Sequence, residues 1–214
     1  MVVAAGSGTR FGGPKQFAIL GGRPVARWSV EACRGVADGV VVVVPPGAGE
    51  NVPDLGADVV VPGGATRSAS VRAGLEAVPA EAGAIVVHDA ARPMAPASLF
   101  RAVVRALEDG AAGAVCSLPV SDTLKAVEPD EPGGPETVRR TLDRAGLVSV
   151  QTPQGFVAEV LRAAHRGEPE ATDDAALVEA LGAAVWAVPG DPCNLKLTSP
   201  TDLAYAEFLL ARNS

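Results

Sequence analysis

Apolar residues cluster in six short runs, at residues 1–5, 39–44, 58–61, 84–88, 113–118 and 183–188. Each is nearly continuous in small or β-branched side chains and does not alternate with polar ones. That pattern predicts strands buried on both faces, as in a parallel sheet covered by helices. Between the runs lie stretches of helical character at 24–34, 67–78, 96–108, 157–166, 173–181 and 200–212. In the first of these, Val25, Trp28 and Cys33 fall near one face. Several open on a start signal, such as Ser199-Pro200. Alternating β and α segments predict a three-layer α/β/α sandwich with a mostly parallel sheet, formed as one domain over residues 1–214. No internal repeat is present. The rhythm breaks between 119 and 151, where the chain turns polar and rich in Pro and Gly. Local strand character persists at 123–127, 138–142 and 147–150, and 128–135 reads as a turn. The stretch fits a hairpin-like arm leaving the sheet, either a dimer contact or a plain surface loop.

Composition narrows the picture. Hydrophobic residues make up 48% of the 214 and charged residues 20%, as in an ordinary soluble globular protein. No apolar run approaches the ~18 residues of a membrane span. The start of the chain lacks a basic leader, so a cytosolic protein is expected. The net charge of −7 argues against a nucleic-acid partner but leaves room for a small anionic substrate gripped by a local cation cluster. Of the 18 cations only Lys15, Lys125 and Lys196 are lysines. In so arginine-rich a chain, each is a candidate for a site that wants a compact point charge, with chance the alternative for Lys125. Cys33, Cys116 and Cys193 lie far apart without metal-ligand spacing and are expected as buried free thiols.

Three motifs carry chemistry. The first run leads directly into Ala4-Ala5-Gly6-Ser7-Gly8-Thr9-Arg10-Phe11-Gly12-Gly13-Pro14-Lys15. Glycines let a backbone turn sharply and press its N–H groups against phosphate oxygens. Arg10 and Lys15 add positive charge to the same place. Phe11 breaks a dinucleotide-type GxGxxG, and Pro14 breaks a GxxxxGK[ST] loop, so phosphates are held in another style. The second motif, His88-Asp89-Ala90-Ala91-Arg92-Pro93, ends a buried run, where open α/β sheets collect ligands. Asp89 is placed to hold Mg²⁺ carried by substrate phosphates, and Arg92 to clamp a phosphate. His88 reads as structural. The third, Gly63-Gly64-Ala65-Thr66-Arg67-Ser68-Ala69-Ser70, is a loop opening a helix. Anion binding by the helix N-terminus and ordinary capping explain it equally well.

Taken together, AAGSGTR with PKQF, GGATRSASVRAGL, HDAARP, PVSDTLK, TLDRAGL with TPQGF, TDDAALVE and DPCNLKLTSPTDL resemble the 2-C-methyl-D-erythritol 4-phosphate cytidylyltransferase family over essentially the whole chain. The resemblance implies a Rossmann-like nucleotidyltransferase fold with a projecting, dimerising β-arm at 119–151. It implies that the Gly6–Gly8 loop, Arg10 and Lys15 bind the CTP phosphates, with Ala4 and Ala5 also among the nucleotide-binding residues. Gly64 and Ser70 would read the cytosine, largely through main-chain groups, and Asp89 would hold Mg²⁺. Arg92, Thr172 and Lys196 would bind the acceptor polyol phosphate, with Thr123 and Arg144 reaching in from a partner subunit. Catalysis falls to Arg10, Lys15 and Lys196. Two departures stand out: Val3 replaces the usual Pro before Ala-Ala-Gly on a shortened first strand, and Ala65 replaces an acidic residue beside the base. A ribitol-5-phosphate cytidylyltransferase is the nearest alternative. A nucleotide-binding domain without turnover is another, but it would be expected to have lost Arg10, Lys15 or Asp89.

Overall fold

The computed structural model describes residues 1–213, apart from the side chains of Arg10, Glu50 and Asn213. In chain order the elements are β1 (Val2–Val3), β2 (Ile19–Leu20), β3 (Arg23–Pro24), α1 (Val25–Arg34), β4 (Val41–Val44), β5 (Val59–Pro62), α2 (Arg67–Ala77), β6 (Ala84–Asp89), α3 (Ala97–Glu108), β7 (Gly113–Pro119), β8 (Lys125–Pro129), β9 (Glu136–Thr141), β10 (Val148–Val157), α4 (Ala158–Ala164), α5 (Asp174–Ala180), β11 (Val185–Pro189) and α6 (Pro200–Asn213). Seven strands form one sheet in the order β11-β7-β10-β6-β1-β4-β5. Every pairing is parallel except those of β10, which runs against both β6 and β7.

Strand pleating divides the apolar runs between two layers. Val2, Val42 and Val44 point to one face, where they pack with Ala26 and Val30 of α1 and Phe100 of α3. On the other face Met1, Val43, Ile85, Val87 and Phe156 pack with Val71 and Leu75 of α2, Leu161 of α4 and Val178 of α5. The predicted sandwich is therefore present. Phe156 is fully buried, and its truncation to alanine would cost about 3–5 kcal/mol by the usual measure of core deletions.

Three expectations need correction. First, β10 was legible only at its start, as arm residues 147–150. It extends through Thr152-Pro153-Gln154-Gly155, and its register slips between Gln151 and Gln154. A proline has no N–H to give a ladder, and here it sits within that slip. The helix expected from 157 begins one residue later. Second, β5 and β11 are edge strands, with Val59, Val60 and Trp186 exposed. A continuous apolar run cannot distinguish an edge from an interior strand. Third, Cys193 is exposed, while Cys33 and Cys116 are buried free thiols as expected. Burial pushes the Cys33 thiol up to about 11 and that of Cys116 up to about 12, leaving both unreactive at neutral pH.

The arm is a separate hairpin of β8 and β9 followed by the outer half of β10. Lys125 spans it, donating to Thr141 Oγ1 at 2.7 Å, which makes it a cross-strand strut. Val127, Val138, Leu147, Val148 and Val150 are all exposed along this region. Helix α6 starts from a reciprocal cap. Asp202 Oδ2 accepts from the Thr198 and Ser199 N–H groups at 2.6 and 2.8 Å, and Ser199 Oγ accepts from Asp202 N at 3.3 Å.

Candidate active site

Strand order reverses beside β1. The chain moves outward from β1 to β4 and β5, then returns to place β6 on the other side of β1. Such a switch point leaves a crevice at the carboxyl ends of the strands. A cleft of about 660 Å³ occupies it, lined by residues 3–9, Lys15, Pro45, residues 64–67, Ser70, Asp89 and Lys196 among others.

One bank is made from backbone. Gly8 lies in the left-handed region at φ 66°, and a side chain there would collide with the Gly13 carbonyl. Its own carbonyl accepts from the N–H groups of Phe11, Gly12 and Gly13 at 2.8, 3.1 and 3.2 Å, which curls the loop into a tight ring. Buried Gln16 donates to Gly6 O at 3.0 Å and holds the loop from below. Beside it, Ser70 Oγ donates to Thr66 O at 2.8 Å and accepts from Gly64 N at 3.2 Å. A Cβ on Gly64 would lie 2.5 Å from that of Ala69, so only glycine lets the loop fold this closely onto α2. Thr66 caps α2 by accepting from Ala69 N.

The opposite bank is made from charged side chains. Asp89 ends β6 and meets Lys196 Nζ at 2.7 Å through Oδ2 and Arg67 Nε at 3.6 Å through Oδ1. Burial alone would push this carboxyl up, but Lys196 and Arg67 outweigh it and hold it at about 2. Lys15 Nζ donates to Leu197 O at 2.6 Å, so the lysine of the glycine loop reaches across to the segment that carries Lys196. That segment is stitched to the end of β6. Leu197 N donates to Ala91 O at 2.7 Å, and Arg92 Nη1 donates to Asn194 O at 2.8 Å. Buried Asn194 donates from Nδ2 to Gln151 Oε1 and Thr152 O. His88 is fully buried behind the site, and burial lowers it to about 4, leaving the ring neutral. Its Nε2 faces Arg92 O at 3.2 Å and must donate, so Nδ1 accepts the Thr152 hydroxyl at 3.1 Å.

Most of the site residues expected from sequence meet here. Ala4, Ala5, Gly6, Gly8, Lys15, Gly64, Ser70, Asp89 and Lys196 line the one cleft. Arg92 stands behind it, braced on Asn194. Thr172 is exposed just ahead of α5, and Thr123 and Arg144 are exposed on the arm, away from the cleft lining of their own chain. The side chain of Arg10 lies outside the described residues. Sequence reasoning missed the link from Arg67 to Asp174 at 2.9 Å and from Asp174 to His165 at 3.0 Å. It also missed the Gln151–Asn194 clamp. Neither has a local signature: Arg67 and Asp174 are far apart in the chain, as are Gln151 and Asn194, and His165 meets Asp174 only because α4 and α5 pack together.

A backbone-lined anion cradle facing two lysines and a single ionised carboxylate suits transfer between two phosphate-bearing molecules, and the class so defined is the α/β nucleotidyltransferases. Comparison with known proteins agrees. The chain matches the model of the 2-C-methyl-D-erythritol 4-phosphate cytidylyltransferase family over residues 1–212. It is 46% identical to the enzyme of that name from Streptomyces coelicolor, covering 99% of this chain and 84% of that protein. Identity to the Nocardia farcinica enzyme is also 46%, covering 100% and 94%. The crystal structure of the Thermus thermophilus enzyme superimposes with a TM-score of 0.81 at 41% identity, covering 98% and 97%. The chain belongs to the 2-C-methyl-D-erythritol 4-phosphate cytidylyltransferase family and is a nucleotidyltransferase. No described helix is long and apolar enough to cross a membrane.

Proposed function

We propose that this chain transfers CMP from CTP to 2-C-methyl-D-erythritol 4-phosphate, releasing pyrophosphate and forming 4-diphosphocytidyl-2-C-methyl-D-erythritol in the cytoplasm. The observation that carries the reading is the meeting of Lys15, Lys196 and Asp89 beside the glycine loop. A phosphate oxygen of the acceptor attacks the α-phosphorus of CTP in line, and the bond to the bridging oxygen breaks as pyrophosphate departs. Both reactants are anions, so the protein must offset repulsion and hold them aligned. Arg10 and Lys15 stabilise charge growing on the α-phosphate and the leaving group. Lys196, Arg92 and Thr172 are assigned to the acceptor. A phosphate monoester is already ionised near neutral pH, so no general base is required.

The donor set fits Mg²⁺ carried in by the nucleotide. Asp89 is a lone carboxylate kept ionised, and no group of three or more His, Cys, Asp or Glu able to hold a metal occurs among the described residues. One carboxylate plus substrate phosphates is a common magnesium arrangement. When bound, the ion would neutralise phosphate oxygens in the transition state. Thr123 and Arg144 enter this reading through a homodimer in which the 119–151 arm of a single-domain subunit reaches the neighbour's cleft. The exposed apolar residues of the arm support such a contact.

Pyrophosphate release measured across nucleotides and polyol phosphates tests the proposal. CTP with 2-C-methyl-D-erythritol 4-phosphate is expected to give the highest kcat/KM. Equal turnover of UTP would remove the cytosine assignment, and preference for ribitol 5-phosphate would replace the acceptor.

A further inference from the structure

Asp89 does not stand alone behind its charge. Arg67, the first residue of α2, reaches between two carboxylates: its Nε faces Asp89 Oδ1 at 3.6 Å and its Nη2 meets Asp174 Oδ2 at 2.9 Å. Asp174 is 1% exposed and its other oxygen accepts from His165 Nε2 at 3.0 Å, so it is fixed from both sides. A carboxyl group this deeply buried needs partners, and Arg67 on one oxygen and His165 on the other are the ones it has. The surrounding chain is sewn down as well. Thr66 Oγ1 donates to Glu170 at 2.8 Å, Arg72 Nη1 to Pro169 O at 2.9 Å, and Ala171 N to Ser68 Oγ at 3.3 Å. The start of α2 and the segment before α5 therefore form one clamped unit, and Arg67 is the residue through which that unit pairs with Asp89.

We infer that Arg67 is a positioning residue for the transfer reaction, anchored by buried Asp174 so that it holds the Asp89 carboxylate in place and shares its charge with Lys196. The sharing has a chemical consequence. Lys196 must give some of its attraction to a substrate phosphate, and a carboxylate already faced by a second cation binds that lysine less tightly. A planar guanidinium can span two carboxylates in fixed geometry, whereas a lysine ammonium is a single point.

The inference rests on the cytidylyl-transfer reading, which stands or falls on CTP turnover by the wild-type enzyme; the variants below test Arg67 alone. In Arg67→Ala, kcat is expected to fall by about 10–100-fold while KM for CTP stays within about threefold, the scale for losing a group that orients a ligand-binding side chain. Mn²⁺ binding to the enzyme–CTP complex, followed by electron paramagnetic resonance, is expected to weaken by about tenfold. Asp174→Asn should move both readouts the same way, and the double variant should be no worse than Arg67→Ala, since Asp174 acts through Arg67. Arg67→Lys keeps one charge but cannot span both partners, so it should recover only part of the loss. It carries the test if the alanine variant does not fold. Thermal midpoints identify the variants that are folded at the assay temperature. Wild-type kcat and Mn²⁺ affinity in a folded Arg67 variant, or additive losses in the double variant, would overturn the inference.

Discussion

The two banks of the cleft are built by opposite means. On the glycine side, position is set by main chain: Gly8 folds the loop around its own carbonyl, and Gly64 lets the neighbouring loop lie against α2. On the Asp89 side, position is set by side chains that meet from distant parts of the chain, with Lys196 and Asp89 separated by 107 residues. The backbone bank uses its N–H groups on its own turns, and a shape made that way costs little to maintain once the turns form. The side-chain bank must keep several charges in register against desolvation and rotamer freedom. It does so with a second layer, namely Arg67 with Asp174, and Gln151 with Asn194. Fixed phosphate recognition suits the first design, and charge that shifts during a reaction suits the second.

Lys15 gives the largest test of this contrast, because it rises from the backbone bank yet carries its charge across to the other. Lys15→Ala should lower kcat by ~10²–10³-fold, the scale for losing one preorganised electrostatic contact. A change confined to KM for CTP would assign it to binding. The next effect should come from the loop itself. Gly8→Ala puts a Cβ 1.8 Å from Gly13 O at a positive φ, so the loop must open. Misplacement on that scale is expected to reduce kcat/KM for CTP by about 10²-fold, with the thermal midpoint lowered by only a few degrees. Activity close to wild type would mean that loop shape is not the source of phosphate recognition.

A third measurement asks whether the side-chain bank is complete within one subunit. Inactive Arg144→Ala and Lys15→Ala enzymes are mixed and reassembled. If the arm reaches the neighbour's cleft, random pairing restores roughly a quarter of the sites, because half the dimers are mixed and each has one intact site. No recovery, with mixed dimers shown to form, would leave Arg144 on the surface of its own chain. The smallest effect concerns the cap that launches α6 just after Lys196. Asp202→Asn should cost about 1 kcal/mol and lower the thermal midpoint by about 2–4 °C. Hydrogen bonds from the Thr198 side chain and main chain hold the Asp202 carboxyl at about 2, below its ordinary value. Its contribution is thus present above the unfolded-state pKa and is lost as pH falls from about 4 towards 2. Denaturation followed across that range should show a shallower pH slope in the variant.

The contrast between banks also explains what could be read from sequence. Glycines with Arg10 and Lys15 at short offsets are a local signal, and so is Asp89 at the end of a buried run. The parallel strands announced themselves because each is a compact apolar block. β10 did not, since Thr152-Pro153-Gln154-Gly155 reads as a turn, and only its place between β6 and β7 makes it a strand. Asp173 was legible as a helix start, and it does cap α5, but nothing nearby marks Asp174 as buried. Its partners Arg67 and His165 come from other elements, and that kind of meeting is decided by topology. The edge positions of β5 and β11 were hidden for the same reason.

The hydrogen bond from Lys15 to the Leu197 carbonyl spans 182 residues. During synthesis the glycine loop emerges before β4 and every later strand, while the carbonyl that receives its lysine, and Lys196 beside it, emerge only after every strand of the main sheet has been made. A nascent chain can therefore assemble a sheet and a phosphate cradle long before it owns a reaction centre. On the proposed reading, the two lysines of the cleft can therefore meet only after the whole main sheet has left the ribosome.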